Sequence, residues 1–556
     1  MNIDLDYLNF EDQSLYNDLS IEVQTEFNLL SEKILYENDN NVFLFSTLCS
    51  RNPYQSKLFI LCLELFFIKT KIAAANDQFS FFNCSLELSY ILKDKFPKHI
   101  FSFKTHFSDT YLLRILKDIF HNLKFTINSI LSKSDKRKNI IINNNLNLIL
   151  IDSFVMKKSI VTGLFFDRYY NKMLSYIDVT HQNKIYYIPH LCTDFNKKSL
   201  DKLSENSNEN LLFKNDFLDY RDYLYCLKIL FSTKYFKSKI YFYEFDFSDL
   251  LSKLHNKNKF NHSSYRALLN YSFIRKLRNE KIDIDLLIDW NENQPIDKGL
   301  IKGVKDFFKN TVVKGYQGYI VSRKYNFYTI PTEYEVKKNV IPDEIIVIGD
   351  KLKHHFNNLT KLISISTGPA FRFLNYNINF NPSPSFITIV LPIGINESYN
   401  LINELSKCFK NNLFGKYEII FKPHPTINVE QLKKKLNKNN INYFNFFNGQ
   451  FKDILTNSIL ILGNTSSALM ESIVNGVPVI IIPQPYEITQ NPIPENIDDK
   501  LVKICNNYLD LNTFINTYVN LTYEERKLNF NLGKGYKSLY YLNPTKENVS
   551  NFLNIK

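Results

Sequence analysis

The sequence predicts an α/β protein made of two Rossmann-like domains with parallel sheets that face one another. Three observations carry that prediction. Short runs rich in Ile, Leu and Val alternate with stretches of helical spacing, once before residue 340 and again from residue 344. Such alternation builds parallel sheets covered by helices. Residues 458–482 form one such unit in full: SILIL, a GNTSS break, Ala468–Val474 at helical spacing, an Asn475-Gly476 stop, and the buried run Val477–Ile482. Finally, 556 residues are too many for one core.

The elements follow in order. Val42–Cys49 reads as a strand, followed by the polar turn Ser50-Arg51-Asn52-Pro53-Tyr54-Gln55-Ser56 and an apolar helix, Lys57–Lys71. Phe79–Cys84 and Leu86–Asp94 give a strand and a helix. After the polar break 132–146, Asn147–Asp152 is a strand ending in an acid, leading into Asp167-Arg168-Tyr169-Tyr170. Lys184–Ile188 is a strand stopped by Pro189, residues 197–211 are a polar loop, and helical periodicity dominates 217–279. The strand Ile284–Asp289 feeds Trp290-Asn291-Glu292-Asn293-Gln294-Pro295-Ile296-Asp297 and a helix to about Lys309. Val312–Tyr316 leads into Gln317-Gly318. Further strands are expected at 344–348, 362–366, 386–391, 417–421, 442–446, 458–462 and 477–482. The charged stretch 335–343 sets the expected boundary, giving domains 1–340 and 341–520 and a helical tail, 521–556.

Composition narrows the classes. The formal net charge of +12 favours anionic partners. Nucleic acid is not expected, because no helix-turn-helix, zinc or RNA-binding signature accompanies the charge. Lys133–Lys138 and Lys433–Lys435 suit an anionic lipid face, and equally suit solvated loops. The most apolar run, Leu58–Ile68, is short and carries Glu64, so a core helix is expected rather than a membrane span. Seven unpatterned cysteines and an acidic N-terminus without a signal pattern point to reduced thiols in the cytoplasm.

The chemistry gathers at strand ends. In open parallel sheets the ligand crevice lies outside the carboxyl ends of the strands. Lys422 and His424 leave the strand Tyr417–Phe421 between Pro423 and Pro425, and Asn464-Thr465-Ser466-Ser467 forms a helix mouth suited to an anion. A Ser-Ser cap also occurs in α/β proteins that bind no nucleotide. Gly394, after ITIVLPI, allows close backbone approach, and Glu397 beside it reads either as a ligand contact or as a helix cap.

Lys-Pro-His-Pro followed by Ser-Ser resembles the HP and SS motifs of bacterial GT-B glycosyltransferases, among them polysialyltransferases, Kdo transferases and teichoic-acid glycerophosphotransferases. The segments SRNPYQS, LIDSF with DRYY, NENQPIDKGL with GYQG, and STGPAFR are similar to bacterial surface-carbohydrate biosynthesis proteins of O-antigen and capsule clusters. The resemblance implies the GT-B fold, with donor recognition in the C-terminal half and acceptor recognition in the N-terminal half. It implies that His424, Ser466 and Ser467 contact the phosphate and ribose of a cytidine nucleotide, and that Glu471 accepts hydrogen bonds from the ribose. No metal or cofactor is expected, since the helix mouth, His and Ser replace a divalent ion.

Transfer also needs a base for the acceptor hydroxyl, or a nucleophile if configuration is retained. Glu292 ranks first because Trp290, Asn293 and Gln294 flank it. Asp152 and Asp297 are the alternatives, each equally readable as a strand-end cap. Arg51, Asn52, Asn293, Gln294 and Gln317 are the candidates for holding an acceptor or sugar. The expected function is transfer of a Kdo- or sialic-like sugar from a CMP-activated donor to a lipid-linked glycan, with peripheral contact at the inner membrane face. CDP-glycerol or a UDP- or GDP-sugar as donor, a GT-B sugar epimerase, and a non-catalytic carbohydrate-binding subunit are the alternatives.

Overall fold

A computed structural model describes the chain except residues 54, 76, 105–110, 144–146, 235–237, 325, 374–377, 411–416, 439–444, 483, 485–487, 506, 507 and 556. Its strands in chain order are β1 (Asn2–Asp4), β2 (Ser80–Cys84), β3 (Ile100–Phe103), β4 (Leu148–Val155), β5 (Ile185–Leu191) and β6 (Asn210–Leu211). A small hairpin, β7 (Tyr241–Phe242) and β8 (Phe245–Asp246), precedes β9 (Ile284–Trp290), β10 (Val312–Gln317), β11 (Glu344–Val347) and β12 (Ser364–Thr367). The rest are β13 (Phe386–Val390), β14 (Glu418–Lys422), β15 (Asn445–Phe446), β16 (Ser458–Gly463), β17 (Val479–Ile481) and β18 (Val502–Ile504).

Among the described residues these form two large sheets whose pairings are all parallel. One has the order β12-β11-β10-β9-β4-β5-β6, the other β15-β14-β13-β16-β17-β18. A three-stranded parallel sheet, β1-β2-β3, is added at the N-terminus. Each large sheet is doubly wound. The chain runs outward from β4 to β6, returns to β9 beside β4, and runs out the other way. It does the same from β13 to β15 and back to β16. The ligand crevice of such a sheet opens where the order reverses, here at the carboxyl ends of β4 and β9 and of β13 and β16. Two Rossmann-like domains so arranged make the GT-B fold.

The cores follow from strand alternation. Leu148, Leu150 and Leu287 point into the core shared with the N-terminal helices, whereas Ile149, Ile151, Leu286 and Ile288 point to the other face. That second core also takes Ile461, Val479 and Ile481 of the C-terminal sheet, while Leu460, Leu462 and Ile480 fill a third. The domains therefore share one apolar layer beside the crevice.

Two expectations are corrected. Val42–Cys49 is a helical turn, Asn41–Leu44, and a 3₁₀ turn, Thr47–Cys49. Asn40 Oδ1 accepts from the N–H groups of Val42 (3.0 Å) and Phe43 (3.2 Å), and the Ser46 hydroxyl caps Cys49 N–H. Side chains buried among helices on all sides need no strand alternation. The boundary at 335–343 is also too early. Glu344 pairs with Lys314, and Ser364 with Glu344, so β11 and β12 belong to the first sheet and the chain crosses over between Thr367 and Phe386. The expected helical tail, 521–556, is helical and packs back on the first sheet. Lys314 Nζ, inside β10, caps the last helix through Phe552 O (2.9 Å) and Asn551 O (3.1 Å), and Ala370 N–H donates to Leu542 O. At Gly476 (φ +73°) the backbone touches Phe530 of the helix Tyr523–Tyr540, leaving no room for a side chain. Of the expected strand 442–446, only Asn445–Phe446 lies within the described residues.

Candidate functional site: the crevice between the two switch points

β14 ends at Lys422, and its neighbour Pro423 accepts a hydrogen bond from Lys422 Nζ (3.0 Å) at its carbonyl. Burial lowers the Lys422 pKa. The ring of His424 is fixed by the next turn, because Nδ1 lies 2.7 Å from Thr426 Oγ1 and accepts from Thr426 N–H (3.3 Å). Nδ1 is thus an acceptor, and the ring proton sits on Nε2. Burial, then the charges of Arg168, Lys422 and Arg372, hold His424 at about 4. It is a neutral donor at neutral pH. Pro425 is exposed and carries no side-chain donor.

Beside it, β16 runs out into the second motif. Asn464 is buried, its amide contacts Gln484 Oε1, and its Oδ1 accepts from Thr465 N–H (2.8 Å). Thr465, Ser466 and Ser467 are half-buried at the mouth. Ser466 Oγ accepts from Ala468 N–H (3.3 Å), and its carbonyl from Leu469 N–H. The helix that follows is short, Ala468–Ile473, so its dipole contributes little and the hydroxyls and amides of the turn are the polar groups on offer. Glu471 is buried one turn below the mouth, and its backbone carbonyl accepts from Asn475. The expectation for Gly394 is corrected. The space over Gly394 is filled by the Glu397 carboxylate, so the glycine serves a helix cap rather than close approach by a ligand.

The three carboxylates separate by accessibility. Glu292 follows β9 at the first switch point and is half-buried. Trp290 Nε1 donates to its Oε1 (2.8 Å), and Gln294 Nε2 to its Oε2 (2.5 Å). Burial raises its pKa against those bonds and the nearby Arg372 and Arg168. Asp297 is 1% exposed, and its Oδ2 accepts from Glu292 N–H (3.0 Å) and Gln294 N–H (2.9 Å). It holds the loop and the start of the helix Pro295–Phe307, which is the capping reading. Asp152 is fully buried within β4 against His190 Nε2. Lys214 Nζ (2.8 Å) and Arg266 Nη2 (3.2 Å) occupy the other ring nitrogen of that histidine. Neither aspartate is open to an acceptor.

The acceptor candidates are largely spent on structure. Arg51, 1% exposed, pairs with Glu335 (2.9 Å) and bonds Asn28 and the Ile330 carbonyl. Lys298 takes the other oxygen of Glu335 (2.7 Å). Asn293, at φ +53°, donates to Tyr328 O and to Glu335. Asn52 is buried, and Gln317 is fully buried against Asn291. A strand-end position did not make these side chains accessible. Gln294 remains beside Glu292.

Two residues outside those candidates line the crevice. Arg168 follows Asp167, whose Oδ1 accepts from Tyr169 and Tyr170 N–H and so fixes the turn. Arg372 lies in the 3₁₀ turn Phe371–Phe373, its guanidinium 5.8 Å from the Trp290 ring. The Tyr169 ring packs 4.1 Å from that of Trp290, tilted by 52°, and Arg168 lies over Tyr169. The charges of both arginines act on His424 and on Glu292. DRYY and STGPAFR contain them, but strand-end spacing did not single them out. Beside Thr465 a cleft of about 460 Å³ opens toward Glu64, Ser85 and Lys257 of the N-terminal region.

No protein-family model and no curated protein sequence matches this chain. Solved structures do. The Staphylococcus aureus MnaA–UDP complex aligns over 74% of this chain and 98% of its own at 10% identity and a TM-score of 0.41. The Methanocaldococcus jannaschii UDP-GlcNAc 2-epimerase with UDP-GlcNAc and UDP covers 73% and 99% at 13% identity and 0.41. A Burkholderia vietnamiensis trehalose-phosphate synthase (UDP-forming) covers 73% and 98% at 10% and 0.39. Likeness at this level bears on neither substrate nor chemistry.

Proposed function

We propose that this protein is a GT-B glycosyltransferase of bacterial surface-polysaccharide assembly, using a CMP-activated keto-acid sugar and a lipid-linked glycan acceptor. The observation that carries the reading is the charge arrangement at one crevice. The charges of Arg168, Arg372 and Lys422 act on the neutral His424, and those of Arg168 and Arg372 also on Glu292, which Trp290 and Gln294 hold. A CMP-linked keto-acid sugar brings two anions, a single phosphate and a carboxylate, and this crevice offers two kinds of partner. His424 Nε2–H and the Ser466 and Ser467 hydroxyls take the phosphate, and the arginine forks take the carboxylate.

In the reaction Glu292 removes the acceptor hydroxyl proton as that oxygen bonds to the anomeric carbon. The bond from that carbon to the phosphate oxygen breaks, and CMP leaves with its charge met by the basic groups. A neutral histidine donates to the phosphate without a proton-transfer step of its own.

The test is thermal stabilisation of the purified protein by CMP, CDP, UDP, GDP and their conjugates. A ligand at 100 times its Kd stabilises by about 2.7 kcal/mol. Preference for CMP and its keto-acid conjugates supports the reading. Preference for CDP-glycerol or a UDP- or GDP-sugar replaces the donor and keeps the crevice. Turnover of a UDP-sugar with no acceptor makes the protein an epimerase, and no response to any nucleotide overturns the donor site.

A further inference from the structure

The helix Tyr111–Leu131 is 21 residues long, about 30 Å, and only one side of it is packed. Asn122 donates to Phe260 O (2.8 Å), Thr126 meets the Tyr265 hydroxyl (2.6 Å), and Arg114 bonds Asn258 (3.0 Å). On the opposite side Leu112, Leu116, Phe120, Leu123, Ile127 and Leu131 are each between 43% and 70% exposed. At 3.6 residues per turn they fall within an arc of about 100° that runs the helix's whole length. Lys117 and Lys124 border that arc on one edge, and Lys133 and Lys136 follow its end.

A second helix, Tyr220–Ser232, meets the first on its buried side. Tyr223 bonds Ser129, and Phe231 packs at 4.6 Å on Phe260, whose carbonyl holds Asn122. It exposes Leu224, Tyr225 and Phe231 alongside Arg221 and Lys228. Among the described residues no helix is long and apolar enough to cross a membrane. The charged segments expected from sequence to meet lipid contribute less than their composition suggests. Arg137 is buried against Asp216 (2.6 Å), Lys138 pairs with Glu280 (2.5 Å), and Lys433 pairs with Glu430.

We propose that the exposed face of the helix Tyr111–Leu131 lies in the surface of an anionic lipid bilayer. An unbroken stripe of Leu, Ile and Phe edged by lysines is the pattern of a helix lying in the plane of the interface. The lysine heads meet lipid phosphates while their stems follow the apolar side chains. A protein partner would favour a compact patch with buried Trp, Tyr or Arg anchors, whereas this stripe is long, aliphatic and continuous. A second copy stacked on the same stripe would bring two lysine-edged faces together. Asp194 neutralises Lys124 in part (2.6 Å), and Glu205 lies 3.8 Å from Lys136, so Lys117 and Lys133 carry the least-compensated charge. The inference is independent of which nucleotide the crevice takes.

The test is co-sedimentation of the full chain with phosphatidylcholine vesicles, with and without phosphatidylglycerol. Binding is expected to the anionic vesicles and to weaken as salt rises. L116E/F120E, at exposed positions, is expected to lower vesicle affinity more than tenfold with an unchanged Tm. K117E/K133E is expected to cost roughly fivefold per lysine. No binding to anionic vesicles, or binding that L116E/F120E leaves intact, overturns the proposal. A concentration-dependent dimer that L116E/F120E dissociates overturns it in favour of a second copy.

Discussion

Gln294→Met removes one donor to the candidate base, together with the side-chain half of the capping box at the start of the helix Pro295–Phe307. The Gln294 side chain donates to Glu292 Oε2 at 2.5 Å, and its backbone N–H, which Met retains, goes to Asp297. Glu292 sits above its ordinary value because burial outweighs the bonds from Trp290 and Gln294 and the fields of Arg372 and Arg168. Removing one stabilising bond moves it further up. A hydrogen bond to a charged group contributes about 1.5–3 kcal/mol, less at a half-buried carboxylate, and one pKa unit is about 1.4 kcal/mol, so the shift is about one unit. Glu292 acts as a base when ionised, so activity is lost as pH falls through its pKa. The acidic limb of kcat/KM against pH should therefore move up by about one unit, with the plateau rate nearly kept. Glu292→Gln should abolish the plateau while leaving CMP affinity in place. An acidic limb that stays where it was in Gln294→Met refutes Glu292 as the titrating base, as does an active Glu292→Gln.

Three further outcomes follow from the geometry. Arg372→Ala should weaken a keto-acid donor by about 1.5–3 kcal/mol, roughly 10–100-fold, while CMP, which lacks the sugar carboxylate, loses less; titration calorimetry with both ligands checks this, and equal losses would remove the carboxylate role. Asp152→Asn should lower Tm and leave kcat within a few-fold, since the carboxylate is enclosed against His190; a collapsed kcat at unchanged Tm would return Asp152 to the chemistry. For Glu335, burial alone would raise the carboxyl, but Arg51 and Lys298 outweigh it and hold it at about 2 against an ordinary 4.5. Its contribution, about 3 kcal/mol, is complete above pH 4.5 and is lost as pH falls from there toward 2. Thermal unfolding of Glu335→Gln across that window should show a flatter acid limb and lower stability at neutral pH.

Most strands of the two large sheets were legible as apolar runs because a parallel strand is buried on both faces, and continuous Ile, Leu and Val report that burial. Val42–Cys49 shows the limit of the same signal. Its Phe and Leu side chains are as apolar as those of Leu148–Ile151, but helices surround them, and Ser46-Thr47 with the caps at Asn40 and Ser46 distinguish the two. The boundary was misplaced for a related reason. Pro342 and the charges around it mark a turn whose apolar residues are buried, and a turn between two strands of one sheet looks locally like a turn between domains.

At the crevice, strand ends located Glu292, His424 and Ser466 but did not report where side chains point. Arg51 and Glu292 both follow polar turns near helix starts, yet Arg51 meets Glu335, more than 280 residues away in sequence, and that partner decides its role. Arg168 and Arg372 show the converse. Neither leaves a strand directly. An Asx turn and a 3₁₀ turn carry them in, and the packing of Tyr169 and of the Arg372 guanidinium against Trp290 shows that both reach the crevice.

The network beneath Glu292 explains why one carboxylate is available and three are not. Arg266 only donates, so His190 Nδ1 accepts and Nε2–H faces Asp152, which burial pushes up to about 7 against Lys214 and Arg266. Lys214 also holds Asn270, Asn270 donates to Ile296 O, and the adjacent Asp297 accepts from Glu292 N–H. Asp289, fully buried near Asp152, is pushed well up as well. A chain of short contacts thus runs from the interior of β4 to the backbone of the loop that presents Glu292. Interior carboxylates fixed in this way are poor bases for an incoming hydroxyl, but they restrict the loop. Trp290 and Gln294 then orient the one carboxylate that reaches the crevice, and this division of roles is a physical reason to place the chemistry at Glu292 rather than at the acids behind it.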